Sequence, residues 1–326
     1  MTAPDHGLGP GESVAMTEVA RRHYLGGESK IDIAREMGIS RFKVARLLDL
    51  ARELGVVRIE IVGPPGIDAE KSELIREHYG LGQVVVVRTD SAAGETRQRV
   101  GRATAGLLAE LITPDDVLGL AWSRAVNDMV AHLDEIPSVP VVQLCGALVV
   151  DGEDSSSVEV ATRAARVSGG RSYVFYAPLI LEDAASAAVL RRHPAVRQAL
   201  DQASEVTVAV VGVGAWRPGA STIFDACSQQ TRDEGTTCGI AGEVAGVCFD
   251  AEGRLVDTPL TDRLITLSRE QLLAVPTVIA TAYGENKTDA VIGAIRAGLV
   301  SSLVTTTEIA DGLIAALGNS VDGTAS

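Results

Sequence analysis

Apolar residues recur at two different spacings along this chain, and the change from one to the other divides it. Up to about residue 53 the spacing is helical. AMTEVARRHYLGG reads as a helix that begins near Ser13 and is stopped by Gly26 and Gly27. A second helix, over residues 30–37, carries Ile31, Ala34 and Met37 on one face. Ser40 suits the N-cap of a third, in which Val44, Leu47, Leu48 and Ala51 face inward. Arg41, Lys43, Arg46 and Arg52 are left outward. A short helix, a turn at Gly38 and a longer helix with a basic polar face form the sequence pattern of a helix-turn-helix, whose second helix enters the DNA major groove. Residues 56–62 alternate and predict a strand, either a wing or a docking strand. GPPG at 63–66 punctuates the chain as a hinge.

From Gln83 the pattern becomes strand, helix, strand, helix. Apolar runs recur at 83–87, 116–121, 140–145, 206–214, 277–282 and 301–306, with helical stretches such as 95–111 and 289–297 between them. β-branched runs alternating with amphipathic helices predict an α/β fold with a largely parallel sheet covered on both faces. In such sheets ligands bind beyond the carboxyl ends of the strands. The expected organisation is a DNA-binding head over 1–62, a linker or connecting helix over 63–82, and an effector-binding and oligomerisation domain over 83–326.

Composition sharpens this picture in three places. At 326 residues, 46% of them hydrophobic, the chain suits two or three domains with a large core and is not wholesale disordered. The net charge of −14 is wrong for a nucleic-acid binder taken as a whole. Residues 14–60, however, hold nine Lys/Arg against seven Asp/Glu, a local +2 that leaves −16 elsewhere. A mildly basic head on an acidic body keeps the body off DNA while the head engages it. Cys145, Cys227, Cys238 and Cys248 show neither CxxC nor metal-ligand spacing, and the five histidines are scattered, so reduced thiols and no metal or other cofactor are expected. No apolar run reaches the roughly 18 residues of a membrane helix. MTAPDHGLGPGES lacks the basic-then-apolar form of a secretion signal, so a cytoplasmic protein with a frayed leader is expected.

Four loops could carry chemistry. After Lys71 the chain has one lysine, Lys287 in AYGENKTDA, at a strand-to-helix junction. A cation in a first helical turn opposes the helix dipole, whereas a bound anion would reverse the sign. The alternative is a solvent-facing lysine paired with Glu285 or Asp289. The run Trp122-Ser123-Arg124-Ala125-Val126-Asn127 offers a hydroxyl, a guanidinium and an amide suited to an anionic or polyhydroxyl ligand. Equally, Ser123 is an N-cap and Arg124 a solvated side chain. Gly212 and Gly214 in GVGAW resemble a phosphate-cradling turn, on weak evidence. Trp122 and Trp216 both sit just past strand ends, where packing is the plainer role. Glu243 lies among glycines and small apolar residues in GIAGEVAGVCFD, where either a sugar hydroxyl or an arginine would partner it.

With those loops in place, nearly the whole chain resembles the SorC/DeoR-type sugar-binding transcriptional regulators of bacteria. GLAWSRAVNDMV resembles the family's "G-x-x-W-G-x-T" loop, QLCGA its "Q-L-x-G" strand and GVGAW its "G-I-G" strand end. GEVAGVCFDAEGRLVD and IATAYGENKTDAVIGAIRAGLVSSLVTTTEIADGLI match its two closing elements, the second with the lone lysine in register. The resemblance implies a Rossmann-like effector domain related to sugar-phosphate isomerases and deaminases. Carried over, Ser123, Arg124 and Lys287 hold an effector's phosphate, with Gly214 in the adjoining strand end. Glu243 meets sugar hydroxyls, and Gln143 lines the pocket. Two departures stand out. Ser123 and Ala125 occupy positions where the family tends to have Gly and Thr, and Thr306-Thr307 stands where it has "T-D". Losing the Thr hydroxyl removes about 1–2 kcal/mol if the acceptor is charged; Arg124 compensates, or the effector is unphosphorylated.

The expected function is a regulator that binds double-stranded operator DNA through Lys30, Ser40, Arg41, Lys43 and Arg46. A sugar, polyol or sugar phosphate would control it by favouring one arrangement of a homodimer or homotetramer. The competing readings are a sugar-phosphate isomerase or deaminase with a helical head, and a DNA-binding protein whose body serves only oligomerisation. An enzyme needs a positioned acid and base, and the matched loops offer neither a carboxylate pair nor a histidine.

Overall fold

A computed structural model describes residues 9–59, 66–89, 93–148 and 156–322. The chain divides into two units, Met1–Val62 and Gly63–Ser326. The first is three helices, α1 (Pro10–Tyr24), α2 (Lys30–Glu36) and α3 (Arg41–Glu53). Helix α1 begins three residues ahead of the expected start because Pro10 sits at its first position, where a fixed φ is already helical and no N–H is missed. Ser29 and Ser40 cap α2 and α3 by accepting from the N–H groups of Asp32 and Lys43 at 3.2 and 3.1 Å. Between them Gly38 takes the left-handed conformation the turn demands, with φ of 64°.

A separate core fills the angle between the helices. It comprises Met16, Val19, Ala20, Ile33, Ala34, Val44, Leu47, Leu48 and Ala51. Here one expectation needs correcting. Ile31 is 54% exposed, and Ile33 takes the inward place with Ala34 and the partly buried Met37. Two positions along a helix is a rotation of about 200°, so Ile31 and Ile33 cannot share a face. A second correction concerns the strand expected over 56–62. Residues 56–59 are turn and coil, and Val57 donates its N–H to the Ala51 carbonyl at 2.9 Å, closing the end of α3. Residues 60–62 lie outside the described residues, as do 63–65 of the expected hinge.

The second unit alternates as its sequence predicts. Its strands are β1 (Gln83–Val87), β2 (Leu118–Leu120), β3 (Val141–Gln143), β4 (Ser172–Tyr173), β5 (Val208–Ala215), β6 (Gly242–Val244), β7 (Val247–Phe249), β8 (Thr277–Thr281) and β9 (Ser302–Thr306). Its helices are α4 (Ala69–Tyr79), α5 (Ala93–Leu111), α6 (Arg124–Ala131), α7 (Ser157–Ser168), α8 (Ala184–Arg192), α9 (Pro194–Gln202), α10 (Thr222–Ala226), α11 (Gln229–Thr237), α12 (Arg269–Ala274), α13 (Thr288–Arg296) and α14 (Thr307–Asp322). Seven strands form one parallel sheet in the order β1-β9-β8-β5-β2-β3-β4. All five residues of β9 are buried, as a strand covered on both faces must be. Helices α5, α6 and α7 pack as one group; α4, α14 and α13 pack as another.

The expected linker helix belongs to this unit. Ile75 of α4 is fully buried in the main core, and Tyr79 Oη donates to the Leu313 carbonyl at 2.9 Å. The chain leaves β2 outward through β3 and β4, then returns to β5 on the opposite side of β2 and proceeds to β8 and β9. The order therefore reverses between β2 and β5, which opens a crevice at their carboxyl ends. Residues Val213–Ala215 of β5 run past the sheet and pair with β6, which pairs with β7, both antiparallel. Ala245 and Gly246, with φ of 52° and 85°, make the two-residue turn of that hairpin.

Candidate functional site

A cavity of about 270 Å³ lies at this reversal. Its walls come from the loops that follow β2, β5 and β8, the hairpin β6–β7, and the segment leading into α10. Ser123, Arg124, Gly214, Glu243 and Lys287, scattered over 165 positions of sequence, all line it.

Each polar group is positioned by a backbone feature. Ser123 is the N-cap of α6, its Oγ accepting from the Val126 N–H at 3.1 Å, and it also lines the cavity. Arg124 follows at the first helical position. Lys287 ends a short 3₁₀ turn and reaches back to β5, where Nζ donates to the Val213 carbonyl at 2.8 Å and lies 5.5 Å from the centre of the Tyr283 ring. It pairs with neither Glu285 nor Asp289 among the described residues. Burial makes the charged form costly and pulls the Lys287 ammonium down to about 8, with Glu243 opposing that shift and Arg124 adding to it.

Glu243 sits on β6 directly across from Gly214. Its Oε1 accepts from Ser221 Oγ at 3.0 Å and its Oε2 from the Gly246 N–H at 3.1 Å, so neither an arginine nor an exposed position satisfies it. Burial pushes its carboxyl above the ordinary range, opposed by those two hydrogen bonds and by Lys287. Ser221 is itself fixed, since its Oγ caps α10 by accepting from the Phe224 N–H at 3.2 Å. The cavity thus brings two cations together with a carboxylate and a hydroxyl. Those groups suit a ligand that is both anionic and hydroxylated.

Gly214 explains itself sterically. A Cβ there would stand 2.0 Å from Glu243 Oε1 and 2.9 Å from the Ser221 Cβ. Gly214→Ala is expected to displace the carboxylate and weaken ligand binding about tenfold, the cost of roughly one charge-assisted hydrogen bond, with little change in head folding. Titration calorimetry on the variant checks this, and an unchanged dissociation constant would remove Glu243 from the ligand's contacts.

Gln143 stands apart from the other expected residues and requires a correction. It does not line the cavity. Fully buried, it donates from Nε2 to the Cys145 carbonyl and Ser157 Oγ at 2.9 and 3.1 Å, and Oε1 accepts from the Phe175 N–H at 3.0 Å. A buried amide with its donors and acceptor used internally is a brace for β3, α7 and the Phe175 segment. Trp122 does line the cavity, and its Nε1 has no hydrogen-bond partner among the described residues. Trp216 packs edge-on against Phe224 at 5.2 Å instead. Ser221, Tyr283 and Asn286 were not singled out from sequence. Only Asn286 had a signal, its adjacency to Lys287.

The four cysteines are unbridged, and among the described residues no cluster of three His, Cys, Asp or Glu side chains could hold a metal. Nor is any helix there long and apolar enough to cross a membrane. In the head, Arg41, Lys43 and Arg46 all lie exposed on α3, Arg46 in a 2.9 Å ion pair with Glu12. Lys30 opens α2, and the Ser40 hydroxyl is committed to its cap.

The model of the sugar-binding domain family, Sugar-bind, matches residues 65–315, most of the chain and nearly all of the second unit. The chain belongs to the sugar-binding family of SorC/DeoR-type regulators. Its SorC-type relatives extend over both units. The sorbitol operon regulator of Klebsiella pneumoniae is 27% identical over 312 residues, covering 92% of this chain and 97% of the relative. The transcriptional regulator LsrR of Enterobacter sp. (strain 638) is 27% identical over 317 residues, 96% of each. The crystal structure of full-length SorC from Klebsiella pneumoniae shares the fold, with a TM-score of 0.71 at 24% identity over 94% of this chain and 100% of that one. These relatives carry the names of regulators, not of enzymes.

Proposed function

We propose that the chain is a bacterial transcriptional regulator in which α3 reads operator DNA and the cavity at the β2/β5 reversal takes a sugar or sugar-phosphate effector. The observation that carries the reading is the convergence of Arg124 and Lys287 with Glu243 and Ser221 on one cavity, in a chain that also bears a capped helix-turn-helix. Ser123, Arg124 and Lys287 hold the anionic end. Glu243, seated by Ser221 and facing Gly214, takes hydroxyls. Lys30, Arg41, Lys43 and Arg46 contact DNA, with Ser40 fixing where α3 starts. The chain works in the cytoplasm as a homodimer or homotetramer, so that two heads meet successive half-sites.

An isomerase or deaminase is the poorer reading. Glu243 is the single carboxylate among the cavity's described residues and no histidine joins it, and the relatives matched over both units carry the names of regulators.

A thermal-shift screen of sugars, polyols and their phosphates tests the effector half, because a ligand of the native state raises the melting temperature with its concentration. For the DNA half, Arg46→Ala is expected to weaken operator binding roughly tenfold and leave effector binding unchanged. The ion pair to Glu12 that it also removes is a surface pair worth at most about 1 kcal/mol, so the head stays folded. Equal DNA affinity in the variant would move the DNA contact away from α3.

A further inference from the structure

Phe42 is the most exposed large apolar side chain among the described residues, at 88%. It stands in the first turn of α3, and the geometry of that helix says where it points. The buried stripe is Val44, Leu47, Leu48 and Ala51. At 100° per residue, these four centre on a direction almost opposite to that of Phe42. Phe42 therefore occupies the middle of the outward face, with Arg46 one turn along on the same line. Arg41 and Lys43 fall about 100° to either side of it.

We propose that Phe42 reads thymine, packing its ring against 5-methyl groups on the floor of the major groove while Arg41 and Lys43 engage the phosphates on the two walls. The inference rests on α3 being the DNA-reading helix. Charge selects the partner. The first acid in α3 is Asp49, which is paired with Arg52, and Glu12 of α1 is held by Arg46, so no carboxylate of α3 lies on the ring's own turn, which Arg41 and Lys43 flank. That rim fits a polyanion. Within the major groove the thymine methyl is the apolar feature a phenyl ring can recognise, and such contacts are an established form of base readout. A phenyl ring left in water gains by burial, and the Ser40 cap holds the backbone that carries it in a fixed register.

The test uses the full-length chain and an operator selected by it from a random-sequence pool. Thymines in that operator are replaced one at a time by deoxyuridine, which removes the methyl alone. At one or two positions of each half-site the replacement is expected to lower the affinity of the unaltered protein about threefold to tenfold. Phe42→Ala is expected to show a similar loss on the thymine operator and to be indifferent to deoxyuridine at those positions. Its melting temperature and its affinity for non-specific DNA should stay unchanged.

The proposal is overturned if the unaltered protein tolerates deoxyuridine everywhere, or if Phe42→Ala keeps the same sensitivity. It is overturned equally if the variant loses affinity on all sequences alike, or if its only effect is a changed oligomeric state, since the ring would then serve charge-independent docking or a second head. If the unaltered protein selects no sequence at all, the DNA-reading assignment of α3 fails and this proposal with it. That outcome is distinguishable from a selected operator that ignores its methyl groups.

Discussion

Lys287→Met is expected to cut effector affinity about a hundredfold and, at the same time, to make the effector-free protein more stable at pH 7. The two effects share one cause. The ammonium is largely withdrawn from water in a part-buried side chain, donates to a single carbonyl and has no carboxylate within ion-pair distance among the described residues. An anionic ligand replaces the water that the charge lost, so removing the amine removes a charge-assisted contact made in a site of low dielectric. Without ligand the same charge is a liability. Its proton is held in the folded chain only below about pH 8, against 10.5 for an ordinary lysine. Between those values the unfolded chain binds more protons, so the stability of the unaltered protein rises with pH across that window. Below it the cost of burying the charge is fully in force.

The gap corresponds to roughly 3 kcal/mol. Stranding the Val213 carbonyl gives back about 1 kcal/mol, so a net gain of about 1–2 kcal/mol remains for the methionine variant at pH 7. The gain should shrink towards zero by pH 10. Denaturant unfolding at pH 7 and 9.5, beside calorimetry with the effector found by screening, measures both halves. A variant that loses stability at pH 7, or binds effector unchanged, would show that the amine is a structural strut.

Leu47→Ala should abolish operator binding while sparing effector binding. Leu47 is completely buried at the centre of a nine-residue core that belongs to the head alone. Truncating a buried leucine costs about 2–5 kcal/mol. A unit of some sixty residues has little more than that to lose. The second unit has its own, much larger core and does not feel the change. Calorimetry should show the head's transition lost or displaced to low temperature and the main one unmoved, with helical signal falling in proportion. A single transition that shifts as a whole would mean that the units unfold together.

The elements that were legible in the sequence share a physical property: their pattern is local. Capped helices such as α2 and α3 announce themselves by a hydroxyl, an apolar stripe and a closing glycine, all within sixteen residues. Strands such as β1, β8 and β9 are uncharged runs rich in β-branched residues, most of which are buried. What escaped notice was non-local or too short. Three-residue strands β6 and β7 contain no period to detect, so the hairpin that carries Glu243 was visible only as a run of small residues. Residues 56–59 alternate, but alternation without a pairing partner makes no strand. Ile31 was placed inward because a helix of only two turns leaves its phase poorly determined.

The cavity divides in the same way. Lys287 stood out by rarity, yet its partner on Val213 is 74 residues away and depends on the sheet order. Gln143 was misassigned for the complementary reason. A polar residue in a buried strand must be satisfied, and sequence does not say whether a ligand or the backbone does so; here Cys145, Ser157 and Phe175 do.

Strand β5 has a double allegiance: its first five residues are hydrogen-bonded into the parallel sheet, and its last three are handed to the β6–β7 hairpin. The cavity wall and the scaffold thus share one strand, and the hairpin's Val244 and Phe249 are also fully buried in the main core. Exchanging only the hairpin's two cavity-lining residues, Glu243 and Ala245, is therefore expected to change which compounds raise the melting temperature while the buried side of the hairpin stays in place.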